Sequence, residues 1–227
     1  MHPSTLVICP GHAIFVGSKS SDVFRTECWL GLFPAYGRKE DELQLYIEHV
    51  KSSVLVAAER PDSLLVFSGG ETRQGVEPGY DEAGGYQRVA EASGWWQHPD
   101  VASRVALERY ARDSLENATH SVHVFLATTG TVPKRIMVVG FRFKAERYRW
   151  HLETLARQHD AVKLPRIEAE ISYVGVNDPP PGVLEKSLEG ERIALASFRR
   201  HPLGHDGGAL ERKRKERDPH GRGNPYY

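Results

Sequence analysis

Leu64-Leu65-Val66-Phe67-Ser68-Gly69-Gly70-Glu71-Thr72 is the stretch whose reading decides the fold. Its unbroken apolar run lies between Pro61-Asp62 and a glycine pair, and reads as a strand buried on both faces. The polar residues that follow at once mark the carboxyl end of that strand. In open α/β sheets, ligands bind beyond those ends.

The same arrangement recurs along the chain. Leu6-Val7-Ile8-Cys9 leads through Pro10 into Gly11-His12-Ala13-Ile14. Val105-Ala106-Leu107 leads into Glu108, and Ala111-Arg112-Asp113-Ser114-Leu115-Glu116-Asn117 follows. Ile136-Met137-Val138-Val139 leads into Gly140-Phe141. Helical stretches separate these runs, at 41–58, from Asp81 to Ala92, at 114–125 and at 143–158. In the third, Asp113 and Glu116 have the D-x-x-E spacing of a capping box. Ile167, Ala169, Ile171 and Tyr173 alternate toward Val176, as a strand at or near a sheet edge does, and Pro179-Pro180-Pro181 ends it. Glu185 to Phe198 reads as a last helix.

The fold expected from this order is α/β, a Rossmann-like three-layer sandwich with a mostly parallel sheet. Residues 1–201 form one domain in this reading, and 202–227 a flexible basic tail around Arg212, Lys213, Arg214, Lys215 and Arg217. The segment 17–37 is irregular, with Trp29, Leu30, Leu32 and Phe33 as packing residues. Trp95-Trp96 is either an ordinary packing pair or a pocket wall.

Composition limits the function classes. Among 227 residues, 40% hydrophobic and 26% charged content is that of an ordinary soluble globular protein. The formal net charge of +0 gives no global attraction to nucleic acid or membrane, and the basic tail reads as a solvated stretch rather than a nucleic-acid contact. With Cys9 and Cys28 as the only cysteines, a disulfide framework is excluded and two reduced thiols are expected. No secretion signal and no apolar run of membrane-spanning length is present, so a soluble, cytoplasmic protein is expected.

The strand-end loops carry the candidate chemistry. Ser68, Gly69 and Gly70 can cradle an anion, because paired glycines allow amide hydrogens to converge on it. His12 and Glu71 are proton-transfer candidates, with Gly11 beside the histidine. Glu82, Glu108, Glu116 and Asn117 can position hydroxyls, a metal, water or a ribose; Glu82 is counted with the catalytic candidates. Arg112, Lys144 and Arg147 supply positive charge at the same end of the sheet, and Asp113 and Ser114 complete the polar loop. No H-x-x-x-H or H-E-x-x-H spacing supports a metal site. Neither G-x-G-x-x-G nor a P-loop nor a G-x-S-x-G elbow occurs.

Taken in order, Gly11-His12-Ala13, Ser68-Gly69-Gly70, Glu82-Ala83, Glu108, Ser114-Leu115-Glu116-Asn117, and a strand followed by Lys144 and Arg147 resemble the YdcF/SanA/ElyC-like family, domain of unknown function 218. The resemblance covers residues 5–155. Asp81, Ala111, Asp113 and Lys144 depart from residues common in that family. The resemblance implies a Rossmann-like domain with its site at the strand ends, and no settled reaction or cofactor. A nucleoside-bearing cofactor such as S-adenosylmethionine enters by fold-level analogy alone. The function expected is binding of a small anionic, phosphate- or nucleoside-bearing molecule by an enzyme of undefined reaction. The alternative is a non-catalytic ligand-sensing or protein-interaction module.

Overall fold

In the computed structural model, residues 2–32 and 39–227 are described. Phe33, expected to pack, lies outside the described residues. Five strands form one sheet: β1 (Thr5–Pro10), β4 (Ser63–Ser68), β5 (Val105–Glu108), β6 (Arg135–Gly140) and β7 (Glu170–Gly175). Their spatial order is β5-β4-β1-β6-β7, and every pair is parallel. β2 (Ile14–Phe15) pairs with β3 (Trp29–Leu30) in a separate antiparallel ribbon, β3 lying inside the segment read as irregular and β2 just before it.

The helices are α1 (Lys39–Ala58), α2 (Glu82–Ala92), α3 (Ser114–Thr129), α4 (Ala145–Arg157), α5 (Pro181–Arg200) and α6 (Ala209–Glu216). Alternate strand residues feed two cores. Val7, Cys9, Leu65, Phe67 and Val139 pack with Tyr46, Val50 and Val54 of α1 and Tyr86 and Val89 of α2. Leu6, Ile8, Leu64, Val66, Ile136 and Val138 pack with Val122 and Phe125 of α3 and Leu152 and Leu155 of α4. Helices therefore cover both faces of a parallel sheet, which is the Rossmann-like three-layer sandwich.

The topology places the site. From β1 the chain moves to β4 and β5 through α1 and α2 on one face. It then returns to β6 and β7 through α3 and α4 on the other. The direction of winding reverses between β1 and β6, and in such sheets the crevice opens at that switch point.

Local differences from the sequence reading have physical causes. Helix α5 starts at Pro181 rather than Glu185, because a proline at the first helical position gives up only an amide that has no partner there. Helix α3 runs on to Thr129 and stops where Gly130 takes φ +71°. The Asp113 carboxylate accepts from Glu116 N at 2.9 Å, but Glu116 bonds to Arg112 N at 2.8 Å, so only half of the capping box forms. Trp95 is buried in the α1–α2 core and outside the strand-end cavity, with φ +53° at Trp95 and +47° at Trp96.

Residues 202–227 differ most from the expectation of a flexible tail. They form α6 and a C-terminal segment laid across the strand-end loops. Arg214 is buried, its Nε donating to Asp113 Oδ2 at 2.7 Å and lying 3.5 Å from Glu116 Oε1. Arg217 donates to Arg112 O at 3.0 Å, and Arg222 donates to Glu71 Oε1 at 2.7 Å. The Tyr226 ring stacks on His123 with centroids 5.2 Å apart. Arg212 and Lys215 do face solvent, as read from the sequence.

Candidate functional site

A cavity of about 120 Å³ opens beyond the ends of β1 and β6. Gly11 and His12 reach it from β1, Tyr46 from α1 and Glu82 from the first turn of α2. The loop from β5 and the start of α3 contribute Ala111, Arg112, Asp113, Ser114 and Asn117. Phe141, Lys144, Arg147 and Tyr148 come from beyond β6, and Lys213 and Arg217 from α6.

Most of the charged side chains here already have partners. Arg112 holds Glu116 through Nη2 at 2.6 Å and Asp218 through Nη1 at 3.3 Å. Arg147 meets Glu191 with two hydrogen bonds, of 2.6 and 2.5 Å, and also donates to Ser114 Oγ. Burial alone would raise the Asp113 carboxyl; the Arg214 guanidinium more than offsets this and holds it below the usual range. Glu82 Oε1 accepts from Thr72 Oγ1 at 2.5 Å and lies 3.8 Å from Arg73 Nη2.

Lys144, Lys213 and Arg217 are different. Among the described residues, no carboxylate lies within 4.0 Å of any of the three. The Lys144 amine instead sits 5.1 Å from the centre of the Phe141 ring and 5.5 Å from that of Phe143. Burial first, and then the Arg147 charge, lowers its pKa to about 7.

His12 packs in a ring cluster, 5.3 Å from Tyr46, 5.6 Å from His49 and 5.3 Å from Phe141 between centroids. Burial, with Lys144 next in size, pushes its pKa well below the usual histidine value, so the ring is neutral. It can exchange hydrogen bonds as an imidazole, and imidazolium chemistry is disfavoured.

Several sequence candidates do other work. The Gly69 amide donates to Glu108 O at 2.9 Å and the Gly70 amide to Ala111 O at 2.8 Å, so neither is free to cradle an anion. The glycines serve close approach instead. At Gly69, φ is +156° and an added Cβ would stand 2.7 Å from Glu82 Cβ; one at Gly11 would collide with that same atom. Ser68 is fully buried, its Oγ 2.6 Å from Glu108 Oε2 and 2.9 Å from Asn117 Oδ1. Through Asn117 Nδ2, which donates to Tyr148 Oη at 3.3 Å, this chain of bonds ends at the cavity wall.

Glu108 organises the β5 loop: its carboxylate accepts from Tyr110 N at 2.7 Å and Ala111 N at 3.1 Å. Glu71 lies outside the cavity, held by Arg222 and by Gly79 N at 3.1 Å. Glu116 is buried behind Arg112 and Arg214 and does not line the cavity. The remaining candidates, Gly11, His12, Glu82, Arg112, Asp113, Ser114, Asn117, Lys144 and Arg147, are brought together.

Sequence reasoning missed Tyr46, Phe141, Tyr148, Lys213 and Arg217 as lining residues. A signal for the last two existed: Leu210, Lys213, Arg214 and Arg217 recur at helical spacing, so the basic run has one face that packs. Among the described residues, no group of three His, Cys, Asp or Glu side chains is placed to hold a metal ion. Nor is any helix long and apolar enough to cross a membrane.

Comparison with family models, curated proteins and solved structures yields no match to any of them.

Proposed function

We propose that the cavity beyond β1 and β6 binds a small anionic molecule bearing a phosphate group, and that the protein is an enzyme acting on it. One observation carries this reading: Lys144, Lys213 and Arg217 line one cavity and, among the described residues, none has a carboxylate partner. Unpaired cations gathered in a partly desolvated cavity repel one another, and an anion relieves that cost. Arg112 and Arg147, each fixed by a carboxylate, add directional donors nearby.

The volume narrows the ligand. At about 120 Å³ the space suits a phosphate-sized group with a few carbon atoms. Pockets for larger ligands run to roughly 300–1,000 Å³. A nucleoside or S-adenosylmethionine, the ligand that fold-level analogy brings in, would therefore require α6 to move outward. At the cavity the Glu82 carboxylate can exchange protons with such a ligand, and neutral His12 can hydrogen-bond to it.

A non-catalytic, ligand-sensing role is the second reading. Glu82 and Asp113 are already engaged by Thr72 and Arg214, which leaves less free acid–base capacity than an active site commonly shows.

Thermal stability of the purified protein across inorganic phosphate, sugar phosphates, nucleotides and S-adenosylmethionine tests the binding claim. A ligand at a hundred times its dissociation constant adds about 2.7 kcal/mol. The reading expects a phosphate-bearing hit that is lost in Lys213→Glu; a panel with no hit would refute it. Turnover of the hit distinguishes enzyme from sensor, and in an enzyme Glu82→Ala abolishes it while the fold survives.

A further inference from the structure

We propose that Lys144 is a reactive amine that forms a reversible imine with a small phosphorylated aldehyde or ketone held in the strand-end cavity. The inference rests on the anion-binding reading above and names its substrate class.

Position is the first ground. Lys144 ends the single 3-10 turn Arg142–Lys144 directly beyond β6, at the winding reversal, and its side chain lines the cavity. Its amine lies near the rings of Phe141 and Phe143, and the residue as a whole is half-buried. Partnership is the second. Arg112, Arg147 and Arg214 each hold a carboxylate, whereas among the described residues Lys144 holds none. Lysines drawn partly out of water are commonly paired with a carboxylate.

The neighbours supply the third ground. Arg147, Lys213 and Arg217 line the same space and oppose a positive charge on Lys144, against the nearby Glu191 carboxylate, which favours it but is itself held by Arg147. Burial and these cations lower its pKa to about 7, so far more of the Lys144 side chains carry a free amine at neutral pH than is usual for lysine. For an ordinary lysine the fraction is roughly one in three thousand. The same three cations attract an anion. A molecule carrying both a phosphate and a carbonyl answers the two features at once: the phosphate meets Lys213 and Arg217, and the carbonyl carbon meets Nζ.

The chemistry balances without a further reactant. The Nζ lone pair attacks the carbonyl carbon and a C–N bond forms. The carbonyl oxygen leaves as water, taking one of the two protons of the neutral amine and one from solvent, and the other amine proton stays on the iminium nitrogen. No electrons are transferred, and hydrolysis reverses the step.

Glyceraldehyde 3-phosphate with cyanoborohydride tests the proposal on the full chain at pH 7, with glycerol 3-phosphate as the carbonyl-free competitor. Intact mass and peptide mapping read the reduced adduct. The expected result is one adduct on Lys144, formed at least about tenfold faster than on any other lysine, as its larger free-amine fraction implies. Glycerol 3-phosphate blocks that adduct, and it is absent from Lys144→Arg and Lys144→Met proteins of unchanged fold.

Adducts scattered over surface lysines, with Lys144 unlabelled and glycerol 3-phosphate still bound, would overturn the imine and leave the anion site standing. Failure of glycerol 3-phosphate to bind would overturn the anion site, and the imine proposal with it.

Discussion

Replacing Arg214 by Met should cost the protein several kilocalories per mole, far more than a change in a solvated basic tail could. The Arg214 guanidinium is buried, 2.7 Å from Asp113 Oδ2 and 3.5 Å from Glu116 Oε1, and Nη1 also donates to Leu203 O at 3.1 Å. Methionine keeps much of the side-chain stem in place but removes the charge. Among the described residues, Asp113 would then keep the Glu116 amide as its hydrogen-bond partner, with the Lys213 charge nearby, while buried among other side chains.

Removing one partner of a buried ion pair costs about 3–5 kcal/mol. For a chain of this size that is a fall in Tm of roughly 6–20 °C. The pH dependence has a definite sign. In the native protein the Asp113 carboxyl is held below its ordinary value, so its contribution is present above about pH 4 and lost as pH falls further. In the variant, burial without Arg214 raises it, so the cost is full at pH 7 and shrinks as the carboxyl protonates in acid. Urea unfolding at pH 7 and pH 4 measures both. A pH 7 loss below about 0.5 kcal/mol, the size of an ordinary surface change, would refute the docking of α6 on the strand-end loops.

Three further outcomes follow from the same geometry. His49 and His151 are fully buried, and burial is the leading cause that lowers both, His49 to about 3. The unfolded chain takes up these protons near pH 6.5 and the folded chain does not. Stability is therefore full above that pH and falls below it, by up to about 1.4 kcal/mol per pH unit for each histidine. Denaturant unfolding between pH 7 and 5 reads the slope, and His49→Gln should flatten it; an unchanged slope would contradict the assignment. Gly11→Ala sets a Cβ against the Glu82 Cβ at the base of a helical side chain, where little can yield, and should cost about 1–3 kcal/mol by calorimetry. Deleting residues 209–227 removes Lys213 and Arg217 from the cavity and exposes the Asp113 carboxylate, so it should abolish anion binding and lower Tm.

Much of the sheet was legible because β1, β4 and β6 are buried on both faces and so carry unbroken apolar runs. Leu6 to Cys9, Leu64 to Phe67 and Ile136 to Val139 could be read as strands without knowing their neighbours. The cavity was legible for the same reason, since His12, Lys144 and Arg147 stand just past those runs. The Ser68-Gly69-Gly70 reading went astray because a glycine pair signals close approach without saying of what: here it is Glu82 and the β5 loop, not an anion. Lys213 and Arg217 were hidden by composition. A run of cations reads as a solvated stretch until its partner, the buried Asp113 carboxylate more than ninety residues earlier, is seen beside it.

The most direct test of the central claim, that the unpaired cations beyond β1 and β6 form an anion site, is calorimetric titration of glycerol 3-phosphate into the native protein and into Lys213→Glu. Lys213 is exposed, so the substitution should leave the fold intact. The account predicts saturable binding to the native protein that weakens at least about tenfold in the variant, as reversal of one charge in a partly desolvated site requires. Equal binding by the two proteins, or no binding by either, would contradict it.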